Sequence, residues 1–360
     1  VLPHVDYPED ADQELVVPAE ALRELLTAIY VKKGMFKAMA RIVAQRQVEA
    51  DLRGISSHGA RAAPRYAAAM DRGDIDPRGE VRVEIEAPAM ALLDGGRNLG
   101  HVAATKAVEL AVAKARDAGT GTVAVRNSHH LGAASLYALL AAHQGMIGFC
   151  TTSTGRATVA AYGSNQAATA NNAFAWAAPS REGPPFCLDM ACAVSSWGKV
   201  DSLRLYGQAL PEGWALDEAG QPTTDAGAAR VLRPAAGPRG FGLAFLCSLL
   251  AGPLAGGRLP LFKSMGAEVH ASEHFVYVID VARFVPPDRF HEELERARDQ
   301  IRALAPAAGF DAVSLPGDRE WRRAAVREQS GIPLHRQPLE ELAQLAKKLK
   351  LPVPWQQPAP

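Results

Sequence analysis

The sequence predicts a mixed α/β fold with α+β character, built as two domains or as one large domain with a satellite. Three observations predict it. The chain has 360 residues, where single domains run to ~100–200. Helix-period and strand-period apolar patterns both occur, in separate segments. Around residues 122–152 a β-branched strand, a loop, a helix and a second strand follow one another, the order of an α/β unit. Hydrophobic residues make up 48% and charged residues 22%, which is ordinary for a globular chain. That composition excludes a disordered chain, a collagen and a disulfide-dense miniprotein.

The elements can be justified in chain order. Residues 18–53 read as helical: Leu22, Leu25, Leu26 and Ile29 recur at helical spacing, and Met39, Ile42 and Val43 resume the pattern after Gly34. A polar block, Ile55 to Gly59, separates this from a helix through Tyr66 to Met70, and Asp74 to Arg78 is turn-rich. Residues 81–93 alternate as strands, and Asp94 to Gly100 is a loop. His101 to Ala118 is an alanine-rich helix closed by Gly119. Thr122 to Arg126 is a short strand, Asn127 to Gly132 a loop, Ala133 to His143 a helix, and Met146 to Thr152 the next strand. This order puts Ser128, His129 and His130 at the carboxyl end of a strand, a favoured place for functional groups.

Residues 154–166 are rich in glycine and polar side chains. Asn171 to Pro179 and Pro185 to Met190 read as extended, and Gly213 to Thr224 as loop and turn. Gly240 to Leu254 reads as a buried helix, Phe275 to Asp280 as a strand, and Asp288 to Leu304 as an amphipathic helix. The last helix, Pro338 to Leu349, opens on proline and spaces Leu339, Leu342, Leu345 and Leu349 along one face. The final nine residues read as a loose tail.

Lys+Arg and Asp+Glu are both 39, a formal net charge of zero. Such a balance argues against a nucleic-acid partner, which calls for a basic excess, and does not oppose self-association. Cys150, Cys187, Cys192 and Cys247 show no C-x-x-C spacing and read as reduced core thiols, with no metal site. The first residues carry acids where a secretory signal would be basic and then apolar. The longest apolar run, Phe241 to Leu254, is shorter than the ~20 residues of a spanning helix. The expectation is a cytoplasmic protein without a membrane partner.

A dinucleotide-binding Rossmann unit needs strand, G-x-G-x-x-G, helix, and an acid ~20 residues on. Gly119-Thr120-Gly121 precedes a strand, and Gly237-Pro238-Arg239-Gly240-Phe241-Gly242 has the spacing reversed. No phosphate-binding P-loop occurs either.

Four segments are unusual for plain core: Gly54-Ile55-Ser56-Ser57-His58-Gly59; Asn127-Ser128-His129-His130-Leu131-Gly132-Ala133; Leu188-Asp189-Met190-Ala191 with Trp197-Gly198-Lys199-Val200; and the glycine-rich segment 237–242. In this order, over about residues 18–349, they resemble the type 2 malate/L-lactate dehydrogenase family. That family includes ureidoglycolate dehydrogenase and piperideine-2-carboxylate reductase. The resemblance implies a homodimeric oxidoreductase using NAD or NADP, with its active site at the subunit interface. It also implies a non-Rossmann cofactor domain, residues 81–284, with a largely antiparallel sheet flanked by helices. A helical domain for dimerisation and substrate would combine residues 1–80 with 285–360.

By resemblance His130 is the catalytic acid/base. Hydride transfer to a C=O leaves an alkoxide that needs a proton, and an imidazole with a pKa near ~6.5 can give or take one near neutrality. Taken alone, a strand-end histidine is more often structural, and His129 is read that way. Ser57 and His58 match a pair near nicotinamide and substrate, although serine there could simply cap a helix. Tyr66 matches a tyrosine near the substrate, and Asn172 a substrate-side asparagine. Cofactor positions carried over are Thr154, Asp189, Met190, Ala191, Lys199, Arg239, Gly240, Gly317, Asp318 and Arg319. Arg239 stands where relatives usually carry lysine.

Two departures concern the substrate. Ala62 stands where relatives carry an arginine that pairs with a carboxylate. Arg61 and Arg65 flank it, and neither is expected to substitute, since one residue turns a helix by ~100°. Ala170-Asn171-Asn172-Ala173 replaces a pattern ending in proline. Two activities follow: hydride transfer between NAD(P) and a 2-oxo or 2-hydroxy acid, or reduction of a C=N bond in a cyclic imine or imino acid.

Overall fold

The computed structural model describes residues 6–263 and 271–356. Its first segment pairs with its last. Strand β1 (Glu14–Val17) runs antiparallel to β14 (Ile332–His335). Helices α1 (Ala19–Lys32), α2 (Lys37–Leu52) and α3 (Ala63–Asp71) follow β1. The Gly34 break falls where the sequence placed it, with φ +96°, a conformation that glycine adopts at little cost. The hairpin β2 (Arg82–Ala87) and β3 (Met90–Asp94) leads to α4 (Gly100–Ala118), closed by Gly119 at φ +86°.

Next come β4 (Thr120–Ser128), α5 (Ser135–Ala142) and β5 (Met146–Thr154). Strand β4 extends further than its β-branched core suggested, because the backbone of Asn127 and Ser128 continues the sheet. Short strands β6 (Val159–Ala160) and β7 (Ala167–Thr169) precede β8 (Phe174–Ala178), β9 (Phe186–Met190) and α6 (Trp197–Leu205). Two-residue strands β10 (Ala215–Leu216) and β11 (Pro222–Thr223) lie inside the stretch read as loop, followed by β12 (Val231–Leu232). Helix α7 (Pro238–Leu250), strand β13 (Ser272–Asp280) and helices α8 (Pro287–Arg302), α9 (Asp318–Ser330) and α10 (Arg336–Lys348) complete the described chain.

The main sheet has seven strands in the order β2-β3-β4-β13-β5-β8-β9. Only β3 and β4 pair parallel; every other neighbouring pair is antiparallel. Its side chains alternate between two cores, as strand geometry requires. Val123, Val125, Cys150, Val276 and Val278 join the core under α4 and α5. Ala124, Phe149 and Phe275 join a second core with Ala244 and Cys247 of α7. The sheet is therefore the middle of three layers. The core on the α4 side is continuous with α1, α2, α3 and α10, whose Leu339, Leu342, Ala343 and Ala346 are buried. All four cysteines are buried and unbridged.

Helix α7 corrects the expectation of a buried helix. It buries Gly240, Ala244, Cys247 and Ser248, while Leu243, Phe245, Leu246 and Leu249 are 37–51% exposed. One face meets the sheet, and the other leaves these four side chains partly exposed. The apolar run passes for a membrane span over Pro238–Ala255 by length and composition. It is nevertheless broken: α7 ends at Leu250, and Pro253–Ala255 forms a separate 3-10 turn. Thirteen helical residues reach about 20 Å, less than the ~30 Å of a hydrocarbon core. The tail is also more ordered than expected as far as it is described, since Pro354–Gln356 form a turn and Trp355 packs on the main core.

Candidate active site

A cleft of about 1610 Å³ opens between the carboxyl end of β4, the turn after α2, the segment after β9 and the N-terminus of α9. Small-molecule sites commonly measure ~300–1,000 Å³, so the cleft has room for two ligands side by side.

Its catalytic-looking corner rests on a buried turn. Asp51, at the end of α2, is fully buried, and its Oδ2 accepts the Ala60 N–H at 2.7 Å. A Cβ on Gly59 would lie 1.8 Å from Asp51 Oδ1, so only glycine lets the chain pass over the carboxyl. Burial pushes the Asp51 carboxyl up to about 7, against its bond to Ala60 and the charges of Arg327 and Arg61. The 3-10 turn held there, Ser56–His58, presents Ser57 and His58. Ser57 Oγ lies 2.7 Å from His58 Nδ1 and 2.7 Å from the Tyr7 hydroxyl. Gly198 of α6 approaches so closely that a Cβ there would fall 2.3 Å from Ser57 Cβ.

His58 and His130 stack, with ring centroids 5.4 Å apart and planes at 22°. Nδ1 of His130 meets the Tyr66 hydroxyl at 2.6 Å and the Gly132 N–H at 3.2 Å. A backbone N–H can only donate, so Nδ1 accepts and the neutral ring carries its proton on Nε2. Tyr66 is fully buried and stands behind His130. Burial first, then competition with a proton on His58 and the charge of Arg65, hold the His130 imidazole well below its usual range. Burial, with Arg65 and Arg61, likewise brings His58 down to about 4. Both rings are thus neutral at pH 7, unlike the freely titrating imidazole assumed from sequence. A fully buried layer lies behind them. His274 bonds Thr152 Oγ1 at 2.9 Å and Ser128 Oγ at 3.1 Å, and the His101 ring meets the Tyr66 ring edge-on. The His129 ring stands edge-on to Tyr66 at 6.4 Å.

The opposite wall carries the expected cofactor positions. Asp189 accepts the Ser135 N–H at 3.3 Å, at the start of α5, and burial raises its carboxyl pKa. Met190, Ala191, Lys199, Gly317 and Arg319 also line the cleft. Burial lowers Lys199 to about 8, and its ammonium lies 5.0 Å from the Tyr7 ring centroid. Gly317, at φ +93°, starts α9, where a Cβ would sit 2.9 Å from the Cys187 carbonyl oxygen. Asn172 is 2% exposed; its amide donates to the Ala244 carbonyl at 2.9 Å and to Ser248 Oγ at 2.5 Å. Its Oδ1 has no hydrogen-bond partner among the described residues.

Of the expected site residues Tyr66 does not line the cleft, and neither do three of the cofactor positions. Arg239 is exposed at the start of α7. Gly240 packs beneath Ala235 and Cys192, where a Cβ would fall 2.3 Å from the Ala235 carbonyl oxygen. Asp318 accepts the Leu315 N–H at 3.0 Å and shapes the entry to α9. Thr154 closes β5, and its side chain lies outside the described ones.

The sequence reasoning missed Tyr7, Asp51 and α6. The sequence did not offer Arg65 as a stand-in for the arginine that Ala62 replaces, but its place on the helix allows one. Arg65 lies three residues beyond Ala62, about 300° around the helix, which returns it close to the same face, and it lines the cleft. Arg61 is instead tied to α6, donating to Ser202 Oγ at 2.8 Å.

A cleft-lining histidine beyond the end of β4, backed by the buried Tyr66 of α3, beside room for two ligands is an oxidoreductase-like arrangement. The family model for malate/L-lactate dehydrogenase matches residues 17–343. A malate dehydrogenase of Pyrococcus horikoshii is 35% identical, with 92% of this chain and 95% of that protein covered. The solved structure of malate dehydrogenase from the same organism superposes with a TM-score of 0.88 at 31% identity, covering 97% of this chain and 99% of that one. A Delta(1)-pyrroline-2-carboxylate/Delta(1)-piperideine-2-carboxylate reductase of Pseudomonas putida is 31% identical over 91% of this chain and 96% of its own length. The chain belongs to the malate/L-lactate dehydrogenase family, and with it to the NAD(P)-dependent dehydrogenases and reductases.

Proposed function

We propose that the protein interconverts a small 2-oxo acid and its 2-hydroxy acid, with His130 exchanging the proton at the reacting oxygen. The observation that carries this reading is the Tyr66–His130 contact of 2.6 Å at the edge of the cleft. The cleft's residues fit a dinucleotide: its volume exceeds that of one small ligand, and Lys199, Arg319 and Asp189 offer charge to phosphates and ribose. When bound, the nicotinamide supplies or accepts the hydride. His130 Nε2 has no hydrogen bond among the described residues and is the atom that meets the substrate oxygen. The Tyr66 hydroxyl donates to Nδ1 of the neutral ring and can accept from it when the ring is protonated on both nitrogens, so it orients the imidazole in either state. Ser57 and His58 bind and orient the substrate beside it.

We read residues 81–284, around the seven-stranded sheet, as a non-Rossmann cofactor domain, and residues 1–80 with 285–360 as the substrate and dimerisation domain. The pairing of β1 with β14 and the packing of α1 and α3 on α10 support that grouping. The active unit in this reading is a homodimer with the site at its interface; the partly exposed apolar face of α7 supports the self-association.

A second reading, reduction of a cyclic C=N bond, is favoured by the relative from Pseudomonas putida. In it His130 delivers its proton to nitrogen. Following NADH and NADPH absorbance with pyruvate, oxaloacetate and piperideine-2-carboxylate separates the two. Turnover with the oxo acids supports the first, turnover with the imine alone supports the second, and turnover with none overturns both.

A further inference from the structure

We propose that Arg65 holds the anionic group of the substrate and thereby selects carboxylate-bearing substrates over neutral ones. This rests on the reading that the substrate reacts beside His130. Arg65 precedes Tyr66 on α3 and lines the cleft with His58 and His130. Its guanidinium carbon lies 5.4 Å from the Tyr66 ring centroid, so its charge sits next to the tyrosine that contacts His130.

The other cations on this side of the cleft are engaged. Arg61 donates to Ser202 Oγ and to the Gly198 carbonyl. Arg53 stacks over the Trp321 ring at 4.2 Å. Arg319 pairs with Asp6 and Glu320, and Arg322 bonds the Asp318 carbonyl and Ser314. No carboxylate pairs with Arg65 among the described residues. An uncompensated guanidinium beside two neutral imidazoles is a site for an anion, and its planar fork suits a carboxylate bidentately.

The arrangement also couples binding to chemistry. Arg65 and burial together depress the proton affinity of both His58 and His130. A carboxylate bound at Arg65 cancels that charge, so His130 gains proton affinity when substrate arrives. The acid form needed for reduction is then favoured in the complex over the free enzyme.

The test compares wild type with Arg65→Gln and Arg65→Lys. Oxamate, an unreactive carboxylate mimic of a 2-oxo acid, is titrated calorimetrically into each enzyme in the presence of NADH or NADPH. Steady-state KM, kcat and their pH profiles are measured with pyruvate and oxaloacetate. Arg65 is exposed, so the thermal midpoint should be kept, and the midpoint is measured to confirm it. The expected result for Arg65→Gln is at least tenfold weaker oxamate binding, a KM raised by a similar factor, and an unchanged cofactor Kd. Its kcat/KM profile should shift to a higher apparent pKa. Arg65→Lys should restore part of the binding. Oxamate binding and KM within twofold of wild type in Arg65→Gln would overturn the proposal, as would no oxamate binding by wild type at millimolar concentration. Arg65-dependent oxamate binding without turnover of any acid would uphold the anion site and sink the hydride-transfer reading. Turnover of acids that ignores Arg65 would do the reverse.

Discussion

The Tyr66 hydroxyl lies 2.6 Å from Nδ1 of His130, and the tyrosine ring is fully buried. The tyrosine cannot follow solvent, so it fixes the ring it touches. Burial raises the pKa of the Tyr66 hydroxyl itself, which keeps its proton available to the pair throughout the neutral range.

Replacing His130 with asparagine should lower kcat by roughly 10²–10⁴-fold, the usual contribution of a general acid or base. The cofactor Kd should barely move. His129→Asn serves as the control: its ring lies against Tyr66, so it should lower the thermal midpoint and largely spare kcat. The reverse pattern would mean that the two adjacent histidines have been assigned the wrong way round.

Tyr66→Phe keeps the packing and removes one hydrogen bond, worth ~0.5–1.5 kcal/mol, so kcat should fall by up to about tenfold. The pH profile is the sharper measurement. His130 in the free enzyme titrates well below the usual histidine range. In wild type the reductive kcat/KM should therefore fall as pH rises through the neutral range, because the protonated ring becomes rarer. The oxidative kcat/KM should be level there, because the ring is already neutral. A reductive profile level from pH 6 to 8 would remove His130 as the proton donor.

Acid should destabilise the fold early. His58 is held at about 4, and His101 and His274 at about 3, all by burial first. Unfolded, each titrates near ~6.5. Between these values the unfolded state binds more protons, so the stability they contribute is complete above pH ~6.5 and is lost as pH falls towards 4. The loss is on the order of 1 kcal/mol per pH unit for each group. Asp51, raised to about 7, works in the opposite sense, contributing less as pH rises from ~4 to 7, but it is one group against three. Urea midpoints at pH 7.5 and 5.5 check the balance. An equal or higher midpoint at pH 5.5 would mean that these imidazoles are not buried neutral.

The partly exposed face of α7 gives a fourth expectation. Leu246→Glu places a charge where the side chain is 51% exposed in the single chain. It should leave the subunit folded and shift light scattering from dimer to monomer, with activity falling as the dimer is lost. A variant that stays dimeric would place the interface elsewhere.

Much of this was legible in the sequence because periodicity reports which face is covered. The helices from Ala19 to Leu52 and from Arg336 to Lys348 show it, as do the β4, α5 and β5 segments. The site motifs were legible too, and the cleft lining brings Ser57, His58, His130, Asp189 and Lys199 together. Other features depended on distant contacts. Helix α6 has no apolar stripe and is set by the Ser196 cap, whose Oγ accepts the Lys199 N–H at 3.1 Å. Strand β1 exists only because β14 lies beside it. That Arg65 lines the cleft was not legible, because a one-residue turn was applied to a position three residues from Ala62. The apolar run of α7 reads as core whether its second face is fully or only partly covered.

The place of β13 has a consequence for how this chain must be made. Residues 272–280 separate β4 from β5 and pair with both, although β5 leaves the ribosome more than a hundred residues earlier. Until β13 is synthesised, those two strands each present an open edge, a template for pairing with other chains. Slow non-local closure of this kind favours the early helices as the first stable structure. A chain cut short before residue 272 would lose the middle of its sheet, and not merely a terminal ornament. Such fragments should be recovered as aggregates or chaperone clients, and splitting the gene anywhere between β5 and β13 should fail unless both pieces are produced together.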